Sequence, residues 1–204
     1  MENLEEITEK IRQAFTDMDQ AREKLLPMCR NTIRHASQAI RAIHRQEFGP
    51  ARESLDAAAG ILAAAASELA AYPELRGAGL MRDAQKEYAE GNITLALVKG
   101  KKLPAPAELN VEPAAYLNGM GEAVGEIRRY LLDAMRRGDL SRGEELLGVM
   151  DDIYGALVTM DFPDALTGGL RRTTDSVRGI LEKTRSDLTL AIRQKELEDK
   201  LRQP

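Results

Sequence analysis

Tryptophan is absent from this chain and the other aromatics are scarce, with three Phe and five Tyr among 204 residues. Reading bases by stacking them on rings needs such side chains, so any nucleic-acid contact should run through the sugar–phosphate backbone. Cysteine is nearly missing as well. A lone Cys29 excludes an internal disulfide framework and a multi-cysteine zinc site, and His35 and His44 alone make a weak transition-metal set. No long hydrophobic run occurs: ILAAAASELAA is the most apolar window, and Glu68 interrupts it far short of membrane-spanning length. The opening MENLEEITEK is acidic and amphipathic, unlike the basic and then apolar pattern of a signal peptide. These absences predict a soluble, cytoplasmic chain with no membrane partner. Also missing are a glycine-rich phosphate loop, a G-x-S-x-G elbow and an H-E-x-x-H helix. Cys29 falls on an apolar seam, where a packed thiol is expected instead of a nucleophile.

What is present favours helix. Ala and Leu supply most of the 43% apolar content, and the length suits one domain spanning 1–204. A net charge of -4 argues against a uniformly basic surface and leaves local patches to decide binding.

Apolar residues recur at three- and four-residue spacing almost throughout, and no segment alternates as a strand would. Leu4, Ile7, Ile11, Ala14, Met18, Ala21 and Leu25 form one series, and Leu26, Cys29, Ile33, Ala36, Ile40 and Ile43 continue it past Pro27. One kinked helix or two consecutive helices are predicted over 3–47. A second helix should begin near Pro50 with Leu55, Ala58, Leu62, Ala65 and Leu69 inward. A third is predicted from Pro73 to about Val98, followed by a loop over 99–113, KGKKLPAPAELNVEP. A fourth runs from about Pro113 to Arg137 and a fifth carries Leu146, Met150, Ile153 and Leu157. A long C-terminal helix shows Val177, Leu181, Thr184 and Leu188. The expected fold is an all-α bundle of six or seven helices.

Two acidic pairs carry the chemical interest. Glu87 and Glu90 are three residues apart in RDAQKEYAEGN, and Glu122 and Glu126 are four apart in GEAVGEIRRY, so each pair shares one helical face. If the two helices pack side by side, the four carboxylates converge. Such an oxygen-rich set suits Mg²⁺ or Mn²⁺, ions that activate water and neutralise developing charge in phosphodiester cleavage. Solvated helix faces explain the same residues, with Lys86–Glu90 and Glu126–Arg129 as local ion pairs. A basic stripe of Arg30, Arg34, Arg41 and Arg45 falls on one face, and Lys99, Lys101 and Lys102 cluster after the acidic helix. These side chains suit RNA phosphates, or equally a solvated face and a helix end.

The order of RHASQAIRAIHRQEF, AYPELRGAGLMRDAQKEYAEGN, VEPAAYLNGMGEAVGEIRRYLLDAMRRGD and DDIYGALVTMDFPDALTGGLRRTTDSVRGILEKTRSDLT resembles the translin and TRAX (translin-associated factor X) family over residues 30–190. The resemblance implies a helical subunit that assembles, typically as an octamer, into a hollow barrel able to enclose RNA. It further implies a TRAX-like chain of the RISC-promoting translin–TRAX endoribonuclease type, here as a homo-oligomer. Glu87 and Glu90 fall on the TRAX glutamate pair, Glu126 on the later glutamate, and Glu122 where an aspartate is expected. The implied activity is cleavage of single-stranded RNA or small RNA fragments with Mg²⁺ or Mn²⁺ on Glu87, Glu90, Glu122 and Glu126. Within such an assembly Arg34, Arg41 and Arg45 of the basic stripe are the expected phosphate contacts. The alternative is a translin-like protein that binds RNA or single-stranded DNA without cleaving it.

Overall fold

In the computed structural model, residues 3–76 and 79–202 are described, and among them the fold is all helix with no strand. Helix α1 spans Leu4–His44 and remains a single element through Pro27. After a three-residue link, α2 (Phe48–Ala70) starts with Pro50 in its first turn, where its missing N–H costs no hydrogen bond. All five expected inward residues of α2 are buried.

The helix expected over 73–98 is divided. Its first part is the single turn α3 (Pro73–Arg76), and α4 begins only at Arg82 and ends at Val98. Gly79, with a φ of 66°, lies in the connection and takes a backbone conformation that a helix cannot continue through. The expected loop contains one helical turn, α5 (Pro106–Leu109), which Asn110 ends in the left-handed region. Helices α6 (Pro113–Arg136) and α7 (Gly143–Val158) follow. The turn α8 (Asp164–Thr167) leads to α9 (Leu170–Arg202). Among the described residues six long helices therefore build the bundle, with three single turns as connectors.

Packing centres on α4. It lies against α1 and α2 on one side and α6 on the other, while α6 in turn contacts α7 and α9. From Tyr88 to Val98 every α4 residue is buried. Glu90, Asn92 and Thr94 are thus covered by neighbouring helices, whereas Asp83 in the first turn stays exposed. Its C-terminal carbonyls are satisfied from α7's N-cap: Arg142 donates to Val98 O at 2.5 Å and Leu97 O at 3.1 Å, and Glu145 braces the guanidinium. A cation at this end also opposes the negative pole of α4.

The first part of α1 departs from expectation. Ala21 and Leu25 are buried as the series predicts, but Leu4, Ile7 and Ile11 of that series are exposed, as is the neighbouring Phe15, because no other described part of the chain covers them. Elsewhere the seams hold: Val124, Ile127, Leu146, Met150, Val177 and Leu188 form part of one core, and Leu131 is buried. Cys29 is buried, and burial pushes its thiol above the ordinary value.

Candidate metal centre

Glycine sets the spacing on which the site depends. A Cβ on Gly119 of α6 would lie 2.5 Å from Lys86 O and 3.0 Å from Glu90 N, so its absence lets α6 approach the backbone of α4. Asn118 beside it ties α6 to the far side, donating 2.8 Å bonds to Ala114 O and Thr167 O and accepting one from the Thr173 hydroxyl. Across this contact, Glu87 and Glu90 of α4 meet Glu122 and Glu126 of α6.

One carboxylate oxygen from each of Glu87, Glu90 and Glu122 lies within 4.8 Å of the other two. They line an open cavity of about 620 Å³ between α1, α4, α6 and α9, together with Glu126. Glu126 stands apart from the trio and accepts a hydrogen bond from His44 at 2.5 Å. Arginines complete the wall: Arg41 from α1, Arg129 from α6 and Arg172 from α9.

The local pairing differs from that drawn on a single helix. Lys86 reaches across to Glu122 at 2.7 Å and lies 3.7 Å from Glu87, leaving Glu90 without an ion pair or side-chain hydrogen bond from the described residues. Glu126 and Arg129 do approach, at 3.9 Å. Of the expected phosphate contacts, only Arg41 lines the cavity. Arg34 is exposed on α1 two turns earlier, and Arg45 is paired with Glu47 at 2.7 Å outside it. The lysine cluster is elsewhere, lining a groove with Phe48, Arg52 and Tyr88.

The electrostatics are those of crowded acids. Glu90 is only 7% exposed, and burial first, then the charges of Glu87, Glu122 and Glu126, push its carboxyl up to about 8. Glu87 moves in the same direction, chiefly through burial, against the opposing pull of Lys86. Burial works against the Lys86 ammonium, yet its bond to Glu122 and the surrounding acids hold its pKa above the ordinary value. One ammonium thus faces three carboxylates. An oxygen-only donor set with excess negative charge and a buried carboxylate without a partner among the described residues fits a hard divalent cation such as Mg²⁺ or Mn²⁺.

Two participants carried no clear sign in the sequence. His44 meets Glu126 from 82 residues away, a distance no local spacing reveals. Arg172 belongs to an Arg171–Arg172 pair one residue past Gly168–Gly169, and that basic doublet at a helix start was the available signal.

No family model matches the chain. An uncharacterized protein of Methanocaldococcus jannaschii is 30% identical over 194 residues, covering 92% of this chain and 84% of that protein. Among solved structures, AfC3PO in complex with duplex RNA is 34% identical with a TM-score of 0.85, over 92% of this chain and 97% of that one. AfC3PO in a second structure gives a TM-score of 0.81 at the same identity and coverage. Apo-NeC3PO gives 0.80 at 18% identity over 90% of this chain and 96% of that one, a likeness of fold alone.

Proposed function

The chain belongs to the translin family of C3PO-type helical proteins, and from that premise we propose that it is a TRAX-like, metal-dependent endoribonuclease. The observation that carries the reading is Glu90, buried with no ion-pair or side-chain hydrogen-bond partner among the described residues, beside Glu87 and Glu122 at an open cavity walled by arginines. A surface cluster of acids has no need to bury one of its members unpaired.

In this reading Glu87, Glu90 and Glu122 would hold Mg²⁺ or Mn²⁺, while Glu126 lines the same cavity outside that trio. The ion, when bound, neutralises charge on the phosphate and makes water a better nucleophile. Arg41, Arg129 and Arg172 bind the phosphates on either side of the scissile bond, with Arg34 and Arg45 extending the basic track outside the cavity. Water adds to phosphorus as the bond to one ribose oxygen breaks. The proton leaving the water passes to the Oε1 of Glu126, and the departing oxygen takes one from solvent. Lys86 keeps Glu122 and Glu87 oriented before the substrate arrives.

Each chain acts as a single helical domain of a homo-oligomeric barrel, an octamer by the family resemblance, that encloses single-stranded RNA or small RNA fragments. The exposed apolar stripe on α1 supports assembly. Because AfC3PO has been solved with duplex RNA, duplex and single-stranded forms both belong in the test.

End-labelled RNA of each form, incubated with the purified protein and Mg²⁺, is expected to yield internal cleavage products that vanish with chelator. Glu87→Gln and Glu90→Gln should each lower the rate by about 10²-fold or more while leaving the helical fold intact. Wild-type rates in both variants would sink the assignment. Salt-sensitive binding of RNA or single-stranded DNA with no metal-dependent product would establish the non-catalytic, translin-like alternative.

A further inference from the structure

His44 sits behind the cavity instead of in it. It is the last residue of α1, its side chain is 6% exposed, and the wall of the cavity is made by other residues. Its Nε2 lies 2.5 Å from Oε2 of Glu126 on α6. A carboxylate oxygen only accepts, so the hydrogen bond assigns the proton to Nε2. The other ring nitrogen, Nδ1, is buried with no hydrogen-bond partner among the described residues. Among the described residues Glu126 is thus the ring's only polar anchor.

The consequence falls on Glu126. An imidazole has two side-chain torsions and a rigid ring, so a buried one places its partner more tightly than a flexible lysine does. Glu122 is held by such a lysine, Lys86, and lies within the three-carboxylate group. Glu126 is held by the ring and lies outside that group, while still lining the cavity. Its Oε1 takes no hydrogen bond from the described residues.

We propose that His44 is a positioning residue: its Nε2–H fixes Glu126 so that this carboxylate faces the RNA phosphate as a separate group, instead of closing on a divalent ion with Glu87, Glu90 and Glu122. The proposal rests on the nuclease reading above. His44 itself touches neither phosphate nor ion and acts only through Glu126. Outer contacts of this kind are usually worth 10- to 100-fold, and here the loss is assigned to turnover and not to ion binding.

The test uses the full chain, Mn²⁺ as the ion probe and labelled single-stranded RNA, with titration calorimetry run beside steady-state cleavage. His44→Ala and Glu126→Gln should keep Mn²⁺ affinity within about twofold of wild type, whereas Glu90→Gln should lose about tenfold or more. In the same His44→Ala and Glu126→Gln proteins kcat should fall by about 10- to 100-fold with KM for RNA nearly unchanged. His44→Gln, whose amide can donate from almost the same place, should recover most of the rate. If His44→Ala fails to fold, the isosteric Glu126→Gln and His44→Gln still give the comparison. Loss of Mn²⁺ affinity in step with Glu90→Gln would overturn the proposal, since Glu126 would then belong to the ion set. So would a Glu126→Gln variant cleaving at the wild-type rate. A wild type that binds Mn²⁺ and leaves RNA intact removes the nuclease reading and this one with it. A wild type that cleaves beside an equally active, folded His44→Ala removes this one alone.

Discussion

Glu90 links stability to pH in a direction opposite to that of an ordinary surface acid. Its folded-state value is about 8 against an ordinary 4.5, so between those pH values the folded chain keeps a proton that the unfolded chain releases. Stability is therefore fully present below the ordinary value and is lost as pH rises through about 8. Glu87, raised in the same sense, adds to the slope. Glu90→Gln should abolish most of this dependence, leaving the variant more stable than wild type at pH 8.5 by on the order of a few kcal/mol and little different at pH 4.5. Urea midpoints at the two pH values, in chelator, measure it; parallel slopes in the two proteins would contradict the burial argument. Divalent ion should offset much of this difference. At about 100 times its dissociation constant, Mg²⁺ or Mn²⁺ should stabilise the wild type by about 2.7 kcal/mol and Glu90→Gln far less. The pairing Glu87–Glu90 was visible as a spacing of three residues, but nothing local distinguished a buried carboxylate from a solvated one. That difference is made by α6 lying over α4.

At the scale of elements, the approach of α6 to α4 is the controlling dimension. Gly119→Ala places a methyl group against backbone atoms, Lys86 O at 2.5 Å and Glu90 N at 3.0 Å, which cannot rotate away as a side chain can. The helices must separate, at a cost of about 1–3 kcal/mol, and the three carboxylates must spread with them. Reduced Mn²⁺ affinity together with a lower melting temperature is the expected pair of results. Gly125→Ala is the control on the same helix. Its new methyl meets only the end of Ile180 at 3.8 Å, so it should be neutral or stabilise by up to about 1 kcal/mol. Helix identities and inward seams were legible from spacing, since Leu55, Leu62, Ile127, Leu146 and Leu188 are all buried where their period places them. The division of the helix expected over 73–98 was not, because apolar spacing continues across Leu80 and Met81 even though the backbone turns at Gly79.

For the whole molecule, α1 is the informative exception. Leu4, Ile7, Ile11 and Phe15 repeat at helical spacing as a core seam would, yet they are 47–62% exposed. A stripe about 16 Å long at 1.5 Å per residue is more apolar surface than a lone helix end needs, and packing against further copies of the chain would cover it. Ile7→Glu with Ile11→Glu should therefore lower the mass measured by light scattering while leaving helical content nearly unchanged; an unaltered mass would remove α1 from the assembly surface. Composition and periodicity by themselves determined that this chain is all helix, which faces of those helices are apolar, and which acids share a face, because each follows from side-chain chemistry at a repeat of 3.6 residues. Tertiary structure decided the rest. It buried Glu90, sent Lys86 across to Glu122 instead of along its own helix, and brought His44 to Glu126. It also left the first turns of α1 uncovered. Those outcomes depend on which helix packs against which, and how closely a glycine lets them meet, and neither is a property of any one segment.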